Sequence, residues 1–257
     1  MDWVVSNNKY LVGKISILDF TNDGVGLKRK NGCIRNMEIY LDTANMEEIR
    51  EIVSWGVITG LTTNQKIFLK EKGTDFKKRV FEILNLVDGP VSIELTKTKL
   101  SNDELLNEAR EYSSWHERNV VIKIPMFHDG RGLELVNKLC KENISTNATC
   151  LISTNQVILA ALSGATYVSI FFNRVKDSGG DPITVIKESR MLIDEGNLKT
   201  KIIVGSLRRP SDVIEALTSG AHIVTVPYSI MVKLPWHWKT EETIKEFDQA
   251  WLEYTKS

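Results

Sequence analysis

Lys123 is the residue whose surroundings most constrain its chemistry. It interrupts Asn119-Val120-Val121-Ile122-Lys123-Ile124-Pro125, an otherwise apolar run closed by a proline. β-branched residues favour strands. A run this short and this apolar reads as a strand covered on both faces, as in a parallel sheet. An ammonium is costly to bury, so such a position favours the neutral amine that attacks a ketone to form an imine. Taken alone, the stretch fits more readily a lysine that snorkels from a strand end or pairs with a buried carboxylate.

The same pattern recurs along the chain. Asp42 ends Glu38–Asp42, and Thr62, Thr63 and Asn64 follow Val57–Leu61. Glu94 lies in Val91–Leu95, and Asn147 and Thr149 in Ser145–Thr149. Ser169 and Arg174 fall in or just after Tyr167–Phe172, and Ser206 and Arg208 follow Lys201–Gly205. Any one of these could be a satisfied core residue. Together they form a coherent set. An amine condenses with a ketone, a carboxylate moves protons, and serine with arginine holds an anion, most simply a phosphate.

The elements that must position them alternate. From Met37 onward eight short apolar runs are each followed by a helical pattern. Asn45 is placed to cap the first helix, Ser101-Asn102-Asp103-Glu104 is a capping box, and Pro210 suits a first helical turn. Regular strand–helix alternation implies a parallel sheet. Eight units with no Gly-x-Gly-x-x-Gly after the first strand point to a single α/β domain, a closed (β/α)8 TIM barrel. In that fold the strands' C-terminal ends carry the active site, which is where these polar residues fall. The expected division is 37–257 for the barrel with its C-terminal helices, and 1–36 for a peripheral N-terminal extension without assigned chemistry.

Composition excludes several classes. Lys+Arg and Asp+Glu both number 33, which removes any net electrostatic case for nucleic acid or an anionic membrane. Three cysteines without disulfide or CxxC spacing, and scattered histidines, imply a reducing cytoplasm and no metal centre. No apolar run reaches membrane-spanning length.

From about Met37 to Trp251 the chain resembles the transaldolase family, in particular its short forms, which include fructose-6-phosphate aldolases. The resemblance rests on Tyr40-Leu41-Asp42-Thr43, Thr62-Thr63-Asn64, Val121-Ile122-Lys123-Ile124-Pro125, Asn147-Ala148-Thr149, Ser169 through Arg174 and Gly205-Ser206-Leu207-Arg208. It implies a class I aldolase-like, metal- and cofactor-free mechanism. Lys123 would form the imine and Asp42 would be the acid/base. Glu94 and Thr149 would hold a catalytic water. Asn64 and Asn147 would bind sugar hydroxyls or the enamine. Arg174, Arg208 and Ser206 would hold the phosphate, with Ser169 lining the pocket. The partners implied are sugar phosphates and further copies of the chain, in a pentamer or decamer.

The family includes transaldolases and aldolases. Glu94, Asn147 and Phe171 match the transaldolase pattern, so transfer of a dihydroxyacetone unit from sedoheptulose 7-phosphate to glyceraldehyde 3-phosphate, or between a related sugar pair, is expected. The alternatives are a fructose-6-phosphate-type aldolase and a non-catalytic sugar-phosphate-binding barrel. Three departures bear on the substrate. Gln65-Lys66 replaces the family's usual Pro-Ser, the loop from Met126 to Gly132 carries Phe127, His128 and Arg131, and Asn173-Arg174 followed by Gly179-Gly180 is closer to the aldolase branch.

Overall fold

The computed structural model describes residues 37–96, 99–116 and 119–256. The extension expected over 1–36 lies outside the described residues. The strands are β1 (Glu38–Asp42), β2 (Gly60–Thr62), β3 (Val91–Glu94), β4 (Val120–Pro125), β5 (Thr146–Leu151), β6 (Tyr167–Phe171), β7 (Lys201–Gly205) and β8 (Ile223–Pro227). Each pairs in parallel with the next, and β8 pairs with β1, closing an eight-stranded barrel. The helices are α1 (Met46–Ser54), α2 (Gln65–Lys70), α3 (Phe76–Leu86), α4 (Asn102–Ser113), α5 (Arg131–Lys141), α6 (Thr154–Leu162), α7 (Phe172–Asp177), α8 (Pro182–Glu195), α9 (Pro210–Thr218), α10 (Tyr228–Met231) and α11 (Trp238–Tyr254).

Strand side chains alternate between two environments, as a period of two requires. Leu41, Leu61, Ile93, Ile122, Ile124, Val168, Ile170, Ile202, Val204 and Val224 join the large core under the helices. Their neighbours fill the barrel. Tyr40, Ile203 and Ile223, with Tyr167 against them, form a separate apolar layer. Gly60 is required beside it, because a Cβ there would sit 2.7 Å from the Tyr40 ring and from the Pro90 carbonyl. One step further along the strands stand Asp42, Thr62, Lys123, Ser169 and Thr225. Apolar packing thus closes one end and polar groups line the other.

The caps are as the residues suggest. The Asn45 side chain accepts from the Glu47 and Glu48 amides, the Ser101–Glu104 capping box is complete, and Pro182 and Pro210 occupy first turns. Three differences exceed a single residue. β2 begins at Gly60 rather than Val57, because only from Gly60 does the chain pair with β1, and Val57 is exposed. β5 runs on to Leu151 across a bulge with Cys150 at φ +63°. α7 starts directly after β6 with no side-chain cap, so no start signal marks it in the sequence.

Candidate active site

The barrel mouth holds a cavity of about 140 Å³ lined by Asp42, Thr62, Asn64, Lys123, Ser169, Phe171, Arg174, Gly205, Ser206 and Thr225. Eight of the residues singled out from the sequence therefore share one space, contributed by strands β1, β2, β4 and β6 and the segments after β2, β6 and β7.

Lys123 is buried, and its Nζ is held from two sides. It donates to the Thr63 carbonyl at 3.0 Å and pairs with Glu94 Oε2 at 3.1 Å. β3 and β4 pair with Glu94 opposite Lys123, so strand register itself creates this contact. Of the two plain readings of a lysine in an apolar strand, pairing with a buried carboxylate is the one present. Glu94 lines a second cavity, which it shares with Thr63, Asn64, Gln65, Phe68, Phe76 and Thr96. The Glu94–Lys123 pair therefore bridges the wall between the two.

Asp42 lies across the main cavity. Its Oδ1 accepts from the Thr62 hydroxyl at 2.7 Å, and Thr62 is in turn 2.6 Å from the Thr225 hydroxyl. Because Thr62's one proton serves Asp42, Thr225 is the donor in that second bond. Burial, opposed by Lys123 and the Thr62 bond, raises the Asp42 carboxyl above the usual range. Thr225 was not evident from the sequence. It is a single threonine within Ile223–Val226, and only its place two residues beyond Ile223 marks it as inward-facing.

The polar residues behind the cavity are ordered by one another. The Ser169 hydroxyl donates to Asn147 Oδ1 at 2.8 Å, and Asn147 donates to the Ser92 hydroxyl at 3.1 Å. Asn147 is therefore one contact removed from the main cavity. Thr149 is fully buried, and its hydroxyl has no nitrogen or oxygen partner. A buried hydroxyl without a partner costs free energy unless a water or ligand satisfies it. Asn64 lines the cavity and caps α2 through its side-chain oxygen, which leaves its amide –NH2 outside the cap. Gln65, where the family pattern has proline, donates to the Leu95 carbonyl at 2.7 Å and ties this loop to the end of β3.

The anion-binding candidates divide. Arg174 and Ser206 line the cavity, with the Arg174 guanidinium 5.8 Å from the Phe171 ring. Arg208 does not line it. Its guanidinium makes a two-toothed ion pair with Asp177, at 2.9 Å for Nη1. Among the described residues no group of three or more His, Cys, Asp or Glu side chains is placed to hold a metal ion, and no helix is long and apolar enough to cross a membrane.

Comparison with known proteins agrees with this geometry. A family model described as Transaldolase/Fructose-6-phosphate aldolase matches residues 39–257. A protein named probable transaldolase from Carboxydothermus hydrogenoformans is 43% identical over 215 residues, covering 84% of this chain and 98% of the relative. A probable transaldolase from Clostridium botulinum is 43% identical over 211 residues (82% and 94%), and one from Roseiflexus castenholzii is 40% identical over 215 residues (84% and 97%).

Proposed function

The chain belongs to the transaldolase/fructose-6-phosphate aldolase family, and from that premise we propose that it is a transaldolase working through an imine on Lys123. The observation that carries this reading is the placement of Lys123 and Asp42 on one cavity, with Glu94 against the amine from the other side.

The Lys123 ammonium passes a proton to Glu94, and the amine attacks the C2 carbonyl of a ketose phosphate. Loss of water gives the imine, with Glu94 and the Thr149 hydroxyl handling that water. Asp42 removes the proton of the C4 hydroxyl. The C3–C4 bond then breaks, its electron pair moves into the imine to form an enamine, and an aldose phosphate leaves. The enamine attacks the carbonyl carbon of a second aldose phosphate, whose oxygen takes a proton from Asp42. Hydrolysis of the new imine returns Lys123. Asn64 and Asn147 hold the sugar hydroxyls and the enamine, directly or through Ser169. Arg174 and Ser206 hold the phosphate, joined by Arg208 when it leaves Asp177. Phe171 offers no hydroxyl to place a proton at the enamine, which favours transfer over release. The reaction is sedoheptulose 7-phosphate plus glyceraldehyde 3-phosphate giving erythrose 4-phosphate plus fructose 6-phosphate.

The test is glyceraldehyde 3-phosphate release from fructose 6-phosphate with and without erythrose 4-phosphate. Release that requires the acceptor is expected. Equal release without it would make the protein an aldolase. No borohydride-trapped ketose on Lys123 would remove the imine mechanism.

The working form is a homo-oligomer. No residue of α11 is buried, yet Ile244, Phe247, Trp251 and Tyr254 recur along one stripe at helical spacing. Exposed apolar stripes of this kind bury against a partner.

A further inference from the structure

Asp212, the third residue of α9, carries more contacts than a helix cap needs. Its side chain is fully buried. The carboxylate accepts from the backbone amides of Arg208 (2.9 Å) and Arg209 (3.1 Å), which is the capping role expected of an acid near a helix start. It also accepts from Asn173 Nδ2 at 2.7 Å, and Asn173 belongs to α7. The same amide group donates to the Ser206 carbonyl at 2.9 Å, and the Asn173 backbone N–H reaches that oxygen at 3.3 Å. Burial alone would raise this carboxyl, but the Arg208 amide, Asn173 and Arg209 outweigh it and hold it below the usual range.

Asp212 and Asn173 therefore tie together the two segments that supply Ser206 and Arg174. The tie has a conformational task. Ser206 sits at φ +59°, a left-handed conformation that a serine keeps only when its surroundings impose it. Two donors from α7 fix its carbonyl. The Arg209 side chain, 3.1 Å from Asp212 on the outer side, matches the carboxylate's charge. The loop is thus held without leaving an unpaired anion beside the site meant for another.

We propose that Asp212, through Asn173, is the positioning residue of the anion cradle, setting Ser206 and Arg174 for the phosphate end of the substrate while leaving the ketone chemistry at Lys123 untouched. This rests on the transaldolase reading for its substrate.

The test compares wild type, Asp212→Asn and Asn173→Ala, all as the full chain. Asn173→Ala leaves the carboxylate's backbone bonds in place, so it carries the test if the Asp212 variant does not fold. Three readouts are taken: KM and kcat for fructose 6-phosphate with erythrose 4-phosphate, borohydride trapping of unphosphorylated dihydroxyacetone on Lys123, and calorimetric binding of inorganic phosphate. The expected result is a rise in KM and phosphate Kd of about tenfold, with kcat and dihydroxyacetone trapping at wild-type level. Unchanged KM and phosphate Kd in the folded variants would overturn the proposal. So would an equal loss in dihydroxyacetone trapping, which would mark Asp212 as a general support of the fold. Wild type that binds phosphate but shows neither turnover nor adduct overturns the transaldolase reading alone, and the cradle is then judged on phosphate Kd.

Discussion

Lys123 Nζ lies 3.1 Å from Glu94 Oε2, and both side chains are almost completely withdrawn from solvent, at 5% and 9% exposure. A buried pair of this kind is costly to break from one side, because the remaining charge keeps its desolvation penalty.

Lys123→Met should therefore do two things. It should abolish the borohydride adduct and all turnover, and it should destabilise the fold by about 3–5 kcal/mol through the stranded Glu94. Adding Glu94→Gln should recover much of that stability and none of the activity. Denaturant unfolding of the single and double variants, with mass spectrometry of the trapped adduct, checks both. A single variant as stable as wild type would contradict the buried-pair account.

Asp42 is raised by burial, so the fold holds its proton to a higher pH than the unfolded chain does. Above the ordinary carboxylate value of about 4 the unfolded state binds fewer protons at this site, and unfolding free energy falls as pH rises. Asp42→Asn removes that loss. Its Tm should exceed wild type near neutral pH and approach it in acid, while kcat drops by about 10²–10⁴. Melting curves across pH, run alongside turnover, would show the opposite ordering if Asp42 were favourably ionised in the fold.

Arg208 is held by Asp177 in an exposed pair, which solvent screens. Asp177→Asn should release the guanidinium and lower KM for a phosphorylated ketose by about two- to fivefold, with kcat unchanged. A raised KM would mean that the pair supports Arg208 rather than competing for it.

Phe247 and Trp251 are 68% and 63% exposed on α11. Trp251→Glu, placing a charge in the apolar stripe, should lower the assembled mass seen by light scattering and leave the barrel's melting transition in place. An unchanged mass would remove α11 from the interface.

The local elements were legible because their signals are local. Hydrophobic periodicity, the Asn45 and Ser101 caps and Pro210 mark helices within a few residues of themselves, and eight repeats leave few topologies that bury every strand. Lys123 stood out because a charge inside an apolar strand is visible in seven residues. Asp42, Asn64, Ser169, Arg174 and Ser206 followed from their places at strand ends, and Phe171 from the family resemblance. Partnership was not legible. Thr62 meets Thr225 across 163 residues of chain, Lys123 meets Glu94 through strand register, and Arg208 turns to Asp177 instead of the cavity. Asp212 drew no reading from the sequence, and its burial and its bond to Asn173 arise only where α7 packs beside it. Backbone periodicity and burial choose the elements, and they act over short distances. Barrel closure chooses which side chains meet, because it sets the register between strands distant in sequence.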